Sequence, residues 1–269
     1  MTLRFTLLGT GSSGGVPRVG PVWGSCDPTN PKNRRRRCAL LVDRFGKKGR
    51  TTVLIDTPAD LREQLLDANV GTLDGVLYTH DHADHTHGID DLRGVFFNMR
   101  RRVNVWADAT TRRTLENRFE YCFVQQSGSL YPAILRAHDI RPPEPIRVEG
   151  AGGVIEAVPI LQEHGDGTSL GFRFGAAAYS PDISGFSEGS LHLMEGLDLW
   201  IVDALRPVPH PSHFSVKQAL DWVERLNVKR AVLTHMTVEL DYESLGRQLP
   251  PHVEPGYDGM VIEIEEDGA

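Results

Sequence analysis

Thr79-His80-Asp81-His82-Ala83-Asp84-His85 decides how this chain is read. Positions 80–85 hold three imidazoles and two carboxylates. These are the ligands that divalent zinc, manganese or iron prefer. So many of them side by side are costly to hold together without a cation. The apolar run before them, Gly75-Val76-Leu77-Tyr78, reads as a buried strand that puts the cluster on the loop at its carboxyl end. His80 and His82 are spaced to chelate one ion. Asp84 and His85, just beyond, reach toward a second.

The same pattern recurs along the chain. The run 3–8 predicts a strand that breaks at Gly9-Thr10-Gly11-Ser12-Ser13-Gly14-Gly15. The run 52–55 ends on Asp56, 154–161 is followed by His164, 199–202 ends on Asp203, and 231–234 ends on His235. Residues 171–174 and 176–180 predict a hairpin whose second strand runs into Asp182. In α/β proteins, ligands collect at the carboxyl ends of strands. Several separated strands that each deliver a His or Asp there carry more weight than any single motif.

Helices fill the gaps. Thr57 and Pro58 are placed to serve as N-cap and first helical residue, with Leu61, Leu65 and Leu66 on one face. Thr110 or Thr111 is placed to cap a helix bearing Leu115, Phe119 and Phe123. Ser215 and Gln218 have capping-box spacing, followed at helical intervals by Val216, Ala219, Leu220, Val223 and Leu226. Strands and helices without strict βαβ alternation predict an α/β fold of two sheets with helices outside. The stretch 20–37, rich in Pro, Asn and Arg, predicts a long surface loop.

Bulk properties narrow the function. The chain has 269 residues and is 40% hydrophobic, enough for a sizeable core, and is read as one domain over 1–269. A net charge of -7 argues against general affinity for nucleic acid. No apolar run has the length of a membrane span, and the first residues look like a strand rather than a signal peptide. Cys26, Cys38 and Cys122 make no disulfide framework. The expectation is a cytoplasmic protein.

Asp56 after a strand, the string His80-x-His82-x-Asp84-His85, and then His164, Asp182 and His235 resemble the metallo-β-lactamase superfamily over nearly the whole length. The resemblance implies a four-layer αβ/βα sandwich with a binuclear site at the mouth between its sheets. It implies that His80, His82 and His164 hold one ion, that Asp84, His85 and His235 hold the other, and that Asp182 bridges them. Asp56 is then a supporting residue behind the ligands. The opening 8–17, the stretch Gly88-Ile89-Asp90-Asp91-Leu92-Arg93, and His213-Phe214-Ser215 before a helix are similar to the phosphodiesterase branch. Within it, the phosphoribosyl 1,2-cyclic phosphate phosphodiesterases resemble the chain best. Those relatives carry an extra structural zinc site. Here Cys26 and Cys38 are twelve residues apart and position 238 is Val, so no structural zinc is expected.

The expected chemistry is hydrolysis of a small cyclic or nucleotide-like phosphate ester. Two zinc or manganese ions would share a water and lower its pKa toward neutrality for in-line attack on phosphorus. His213 is the candidate general acid and a substrate contact, and Asp84 the second candidate catalytic residue. Ser12 and Ser13, through the Gly-rich loop, and Arg93 are candidate substrate contacts. The runs 34–37 and 100–102 are basic and read as solvated faces or as a rim for substrate. Rival readings are a tRNA 3′-end nuclease, a thioester hydrolase and a non-hydrolytic metal-binding partner of a biosynthetic pathway. A homodimer is expected from the relatives alone.

Overall fold

Leu3, Phe5 and Leu7 alternate with Arg4 and Thr6 along the first strand, β1 (Thr2–Gly9), the period-2 pattern of a strand with one face on a core. The computed structural model describes residues 2–187 and 189–265. After β1 come β2 (Ala39–Gly46), β3 (Gly49–Ile55), α1 (Leu61–Asp67), β4 (Gly75–Leu77) and the short α2 (Ala83–Thr86). Then follow α3 (Leu92–Met99), β5 (Val103–Ala107), α4 (Ala109–Arg118), α5 (Glu120–Phe123), β6 (Leu135–Asp139) and β7 (Ile146–Val148). The second half contains β8 (Ile155–His164), β9 (Gly167–Phe174), β10 (Ala177–Ser180), β11 (Gly185–Phe186), β12 (Leu199–Asp203) and α6 (Val216–Arg225). It closes with β13 (Arg230–Thr234), α7 (Tyr242–Gly246), β14 (Val253–Pro255) and β15 (Val261–Glu265).

The strands form two sheets of matching design. One has the order β15-β1-β2-β3-β4-β5-β6 and the other β11-β8-β9-β10-β12-β13-β14, with β7 paired to β8. In the first sheet, pairs are antiparallel from β15 to β3 and parallel from β3 to β6. In the second, they are antiparallel from β11 to β10 and parallel from β10 to β14. Each sheet thus offers parallel strands with carboxyl ends on one edge, which is where the chain places Asp56, His80, Asp182, Asp203 and His235.

Three apolar clusters define the layers. Phe5, Leu40, Val42 and Ile55 of the first sheet pack on Phe172, Tyr179, Ile201 and Val232 of the second. The other face of the first sheet, through Leu41, Leu54 and Val105, is covered by Leu61, Leu92 and Leu115 of the helices. The other face of the second, through Trp200 and Leu233, is covered by Ala219, Val223 and Leu245. This is the four-layer αβ/βα sandwich, with both sheet faces buried, as strands apolar on both sides require.

Local details differ from the sequence expectations in instructive ways. The helix expected from Thr57-Pro58 begins at Leu61, with Asp60 as N-cap residue. The Thr57 hydroxyl is engaged elsewhere, 3.0 Å from the Tyr78 hydroxyl and 3.3 Å from the Thr86 carbonyl. Leu61 and Leu65 face the core, but Leu66 is 58% exposed. The cap of α4 is Asp108, which accepts from the Thr111 N–H at 2.8 Å, rather than either threonine. The Ser215–Gln218 capping box is present at the start of α6. The loop 20–37 is not all surface: Cys26, Asn33 and Arg35 are buried within it. Among the described residues, no helix is long and apolar enough to cross a membrane.

Candidate metal centre

Asp56 directly follows β3 with φ 64, a left-handed conformation that a side chain adopts at some cost. Its buried carboxylate organises the neighbouring loop. Thr79 donates to it twice, from its N–H to Oδ1 and from its hydroxyl to Oδ2, both at 2.8 Å. Because the Thr79 hydroxyl donates to Asp56, it accepts from His80 Nδ1 at 2.9 Å. That fixes the tautomer of His80 and leaves the lone pair on Nε2. His85 Nδ1 lies 2.7 Å from Asp56 Oδ2, so its Nε2 is likewise freed. His164, at the end of β8, donates from Nδ1 to the Ser212 carbonyl at 2.7 Å. Each imidazole is held from behind by an oxygen acceptor, which is how metal-binding histidines are oriented.

The freed nitrogens converge on Asp182, which follows β10 and is buried. Its Oδ1 lies 3.0 Å from His85 Nε2 and 3.6 Å from His235 Nε2. Its Oδ2 lies 3.8 Å from both His80 Nε2 and His164 Nε2. The two oxygens therefore face different histidine sets. Asp84 Oδ2 completes one of them, 3.6 Å from His85 Nε2 and 3.7 Å from His235 Nε2. His82 Nδ1 completes the other, 3.4 Å from His164 Nε2. Ligand atoms of His80, His82, His164 and Asp182 all lie within 4.8 Å of one another, as do those of Asp84, His85 and His235.

This donor set fits two divalent cations. Buried His80 Nε2 and His235 Nε2 have no hydrogen-bond partner in the structure, and the 3.0 Å contact of His85 Nε2 with Asp182 Oδ1 is not aligned as a hydrogen bond. Orphaned buried groups of this kind cost about 1–3 kcal/mol each, more when charged. Several converging at once call for a positive charge between them. The electrostatics point the same way. Burial and the charge of His85 hold His80 well below the ordinary histidine value, and burial lowers His164 too. Burial opposes protonation of His85 and His235, but Asp182 with Asp56, and Asp182 with Asp203 and Asp84, outweigh it. His85 is raised well above the ordinary value and His235 is pushed up to about 10. Burial disfavours the Asp182 carboxylate, yet His235 and His85 overcome this and hold its pKa well below the usual range. Protons gather where cations would bind.

His213 stands beside this cluster with its Nε2 3.8 Å from Asp182 Oδ2. Its Nδ1 lies 2.7 Å from Asp203 Oδ2, and Asp203 is fully buried at the end of β12. The same Asp203 oxygen accepts from the Ile183 N–H at 3.2 Å, next to Asp182. Its other oxygen is 3.7 Å from His235 Nδ1. In the sequence Asp203 is marked only as a strand end. Thr79 and Ser212 were also missed. The signal for Asp203 was the shared strand-end pattern, while nothing local marks Thr79 or Ser212.

The remaining candidates lie around this centre. Ser12 is buried and its N–H bonds to the Met236 carbonyl at 3.4 Å, beside His235; Ser13 is exposed. Arg93 pairs with Asp90 at 2.6 Å on α3 and lies over the Tyr121 ring. The run 34–37 is not a uniformly solvated face. Arg35 is 1% exposed and donates to the Leu240 carbonyl at 2.7 Å. Arg36 pairs with Asp67 and Asp258, and Arg37 with Asp60. Cys26, Cys38 and Cys122 are buried free thiols.

A family model described as a beta-lactamase superfamily domain matches residues 51–236. An octanoyltransferase of Porphyromonas gingivalis (strain ATCC BAA-308 / W83) is 33% identical over 272 residues, covering 99% of this chain and 52% of that protein. The chain thus spans about half the length of this curated relative. Among solved structures, a diphosphatase from the PhnP family superposes with a TM-score of 0.86 at 34% identity, covering 98% of both chains. Zinc-bound PqqB from Methylobacterium extorquens shares the fold with a TM-score of 0.70 at 15% identity, covering 96% of this chain and 99% of its own. The short form of human tRNase Z does so with a TM-score of 0.61 at 18% identity, covering 96% and 98%.

Proposed function

The chain belongs to the metallo-β-lactamase superfamily, in its phosphodiesterase branch, and we propose that it hydrolyses a small cyclic or nucleotide-like phosphate ester at a two-metal centre. His80, His82 and His164 are the ligands of one ion, Asp84, His85 and His235 of the other, and Asp182 is shared. When bound, two divalent cations, zinc or manganese, supply Lewis acidity to a phosphoryl oxygen and bring the pKa of water toward neutrality. The protein's part is orientation and proton delivery. Asp56, Thr79 and Ser212 hold the imidazoles so that their lone pairs face inward. His213 is held by Asp203 so that its Nε2 faces the cluster, placed to protonate a leaving oxygen.

The observation that carries this reading is the Asp203–His213 pair. A thiolate, whose conjugate acid has a pKa of about 8.5, leaves without help, whereas an alkoxide needs a proton as it departs. A histidine backed by a buried carboxylate at the metal cluster therefore favours an oxygen ester over a thioester. The PhnP-family diphosphatase, at 34% identity over 98% of the chain, supports phosphorus chemistry as well. Octanoyl transfer, the activity in the longer relative's name, is not part of the proposal. That relative extends well beyond the matched region, and the thiols that could form an acyl-enzyme here are buried. The test is a panel of bis(p-nitrophenyl) phosphate, nucleoside cyclic phosphates, nucleotide diesters and acyl thioesters, with zinc- or manganese-loaded and with chelated protein. Turnover of phosphodiesters that disappears on chelation is expected. Turnover of thioesters alone contradicts the proposal.

A further inference from the structure

The chain leaves the metal centre through a turn. His235 has φ 58, a left-handed backbone state that persists only where the surroundings enforce it. On its upstream side, β13 is paired with β12 as far as Thr234. On its downstream side, the Leu240 N–H donates to the Thr237 carbonyl at 3.2 Å and closes the turn. Arg35 spans that turn. Its Nη1 donates to the Leu240 carbonyl at 2.7 Å and to the Thr237 carbonyl at 3.4 Å. Cys26 reinforces the contact, with Sγ 3.4 Å from the Val238 carbonyl and 3.5 Å from that of Leu240. The Ser25 N–H donates to the Val238 carbonyl at 2.8 Å. Carbonyls at 237, 238 and 240 are thus all gathered by the loop 20–37.

A buried guanidinium is a costly way to hold a turn. Arg35 is 1% exposed, and its Nε and Nη2 have no hydrogen-bond partner. Arginine does not give up its proton, so burial places a full charge there. Among the described residues, no carboxylate forms an ion pair with it; Asp258 and Asp241 act only from a distance. An apolar side chain of similar volume would fill the place without that cost. It would not supply a donor shared by both ends of the turn. The backbone under Arg35 is fixed as well, since its N–H donates to the Val16 carbonyl at 2.9 Å and its carbonyl accepts from Val16 at 2.8 Å. Asn33 ties the same loop further along, bonding the Asp241 carboxylate at 2.6 Å and the Tyr242 N–H at 2.8 Å. It makes no contact with the carbonyls of 237–240.

We propose that Arg35 is a positioning residue for His235. By tying the carbonyls of Thr237 and Leu240 together, it keeps the turn closed and His235 in its left-handed state. It thereby sets the affinity of the ion held by Asp84, His85 and His235. The other ion is not affected, because His80 and His164 are held from behind by Thr79 and Ser212, away from this turn. The proposal rests on the two-ion reading of the centre.

Two measurements on the full chain test it. The first is competitive zinc titration against a chromophoric chelator, resolved into one constant for each ion. Arg35→Met keeps a long side chain and removes the donor. It should weaken one ion by about tenfold or more, the scale for groups that orient a metal ligand, and leave the other unchanged. Arg35→Lys offers an ammonium in the same place and should recover part of the loss. Asn33→Ala removes the other tether and should lower stability without weakening either ion. In a His235→Ala background, Arg35→Met should have no further effect on the ion that remains. Unchanged constants in R35M, equal weakening of both ions, or an N33A loss matching that of R35M overturns the proposal. The second is hydrogen exchange of the chelated protein, read by mass spectrometry. R35M should exchange faster across 236–240 while β10 and β12 keep their wild-type protection. Wild-type protection of 236–240 in R35M overturns the hold of Arg35 on the turn. If R35M does not fold, R35K carries both measurements, with smaller changes in the same direction. If wild type binds fewer than two ions, the two-ion reading fails and exchange alone decides what Arg35 does.

Discussion

Asp203 holds His213 from behind, Oδ2 to Nδ1 at 2.7 Å, and thereby turns the histidine's other nitrogen toward the oxygen of Asp182 that faces His80 and His164. His213's support and the histidine–aspartate cluster are built on neighbouring strand ends, since β10 leads to Asp182 and β12 ends on Asp203. An Asp203→Asn substitution keeps the shape but not the charge that selects the Nδ1–H form. We expect kcat to fall by roughly 10²–10⁴, the contribution of a positioned general acid. Zinc content at saturation should remain that of wild type. Elemental analysis beside kcat measurement checks this; a variant with normal kcat removes His213 from the mechanism.

Asp182 touches both histidine sets, one with each oxygen. Asp182→Ala should therefore lower metal content at both positions together rather than at one. Competitive titration with a chromophoric chelator measures this. Stepwise loss of a single ion would show that the carboxylate serves only one set.

Protonation of the metal-free cluster sets a pH dependence. Burial works against the charged form of His235, but Asp182, Asp203 and Asp84 raise its pKa from 6.5 to about 10. A raised histidine pKa stabilises the fold fully below about 6.5, and that contribution is lost as the pH climbs through 10. His85 is shifted in the same direction. The chelated protein should lose thermal stability across this window. The metal-loaded protein should not show the same loss, because the ions displace those protons. Melting curves at intervals of one pH unit, with and without chelator, test it; a flat profile for the chelated protein contradicts it.

Thr79 links two supports, donating to Asp56 and accepting from His80. Thr79→Val preserves volume and leaves both partners short of one bond in a buried place. We expect a loss of about 1–3 kcal/mol in stability and about tenfold in metal affinity. Urea unfolding of the chelated variant and zinc titration give the two numbers.

Much of this was legible in the sequence where the information is local. The string 79–85 carries five ligand-type side chains in one loop, and the alternation along β1 and the capping box at Ser215 follow from short-range pattern. What was hidden depends on partners far apart in the chain. Arg35 looks like its neighbours in sequence, yet its burial is set by carbonyls some 200 residues away, at 237 and 240. Arg36 finds Asp258 from a separation of 222 residues. Thr57 has the local chemistry of a helix cap, but the hydroxyl of Tyr78 competes for it and moves the helix start to Leu61. Asp203 stood in the strand-end pattern, and its role emerged only from its distance to His213.

Anomalous scattering at the zinc edge, from crystals grown with zinc in excess, tests the central claim most directly. The account predicts two peaks per chain, one among His80, His82 and His164 and one among Asp84, His85 and His235, with Asp182 shared. A single peak, or none among these side chains, contradicts it.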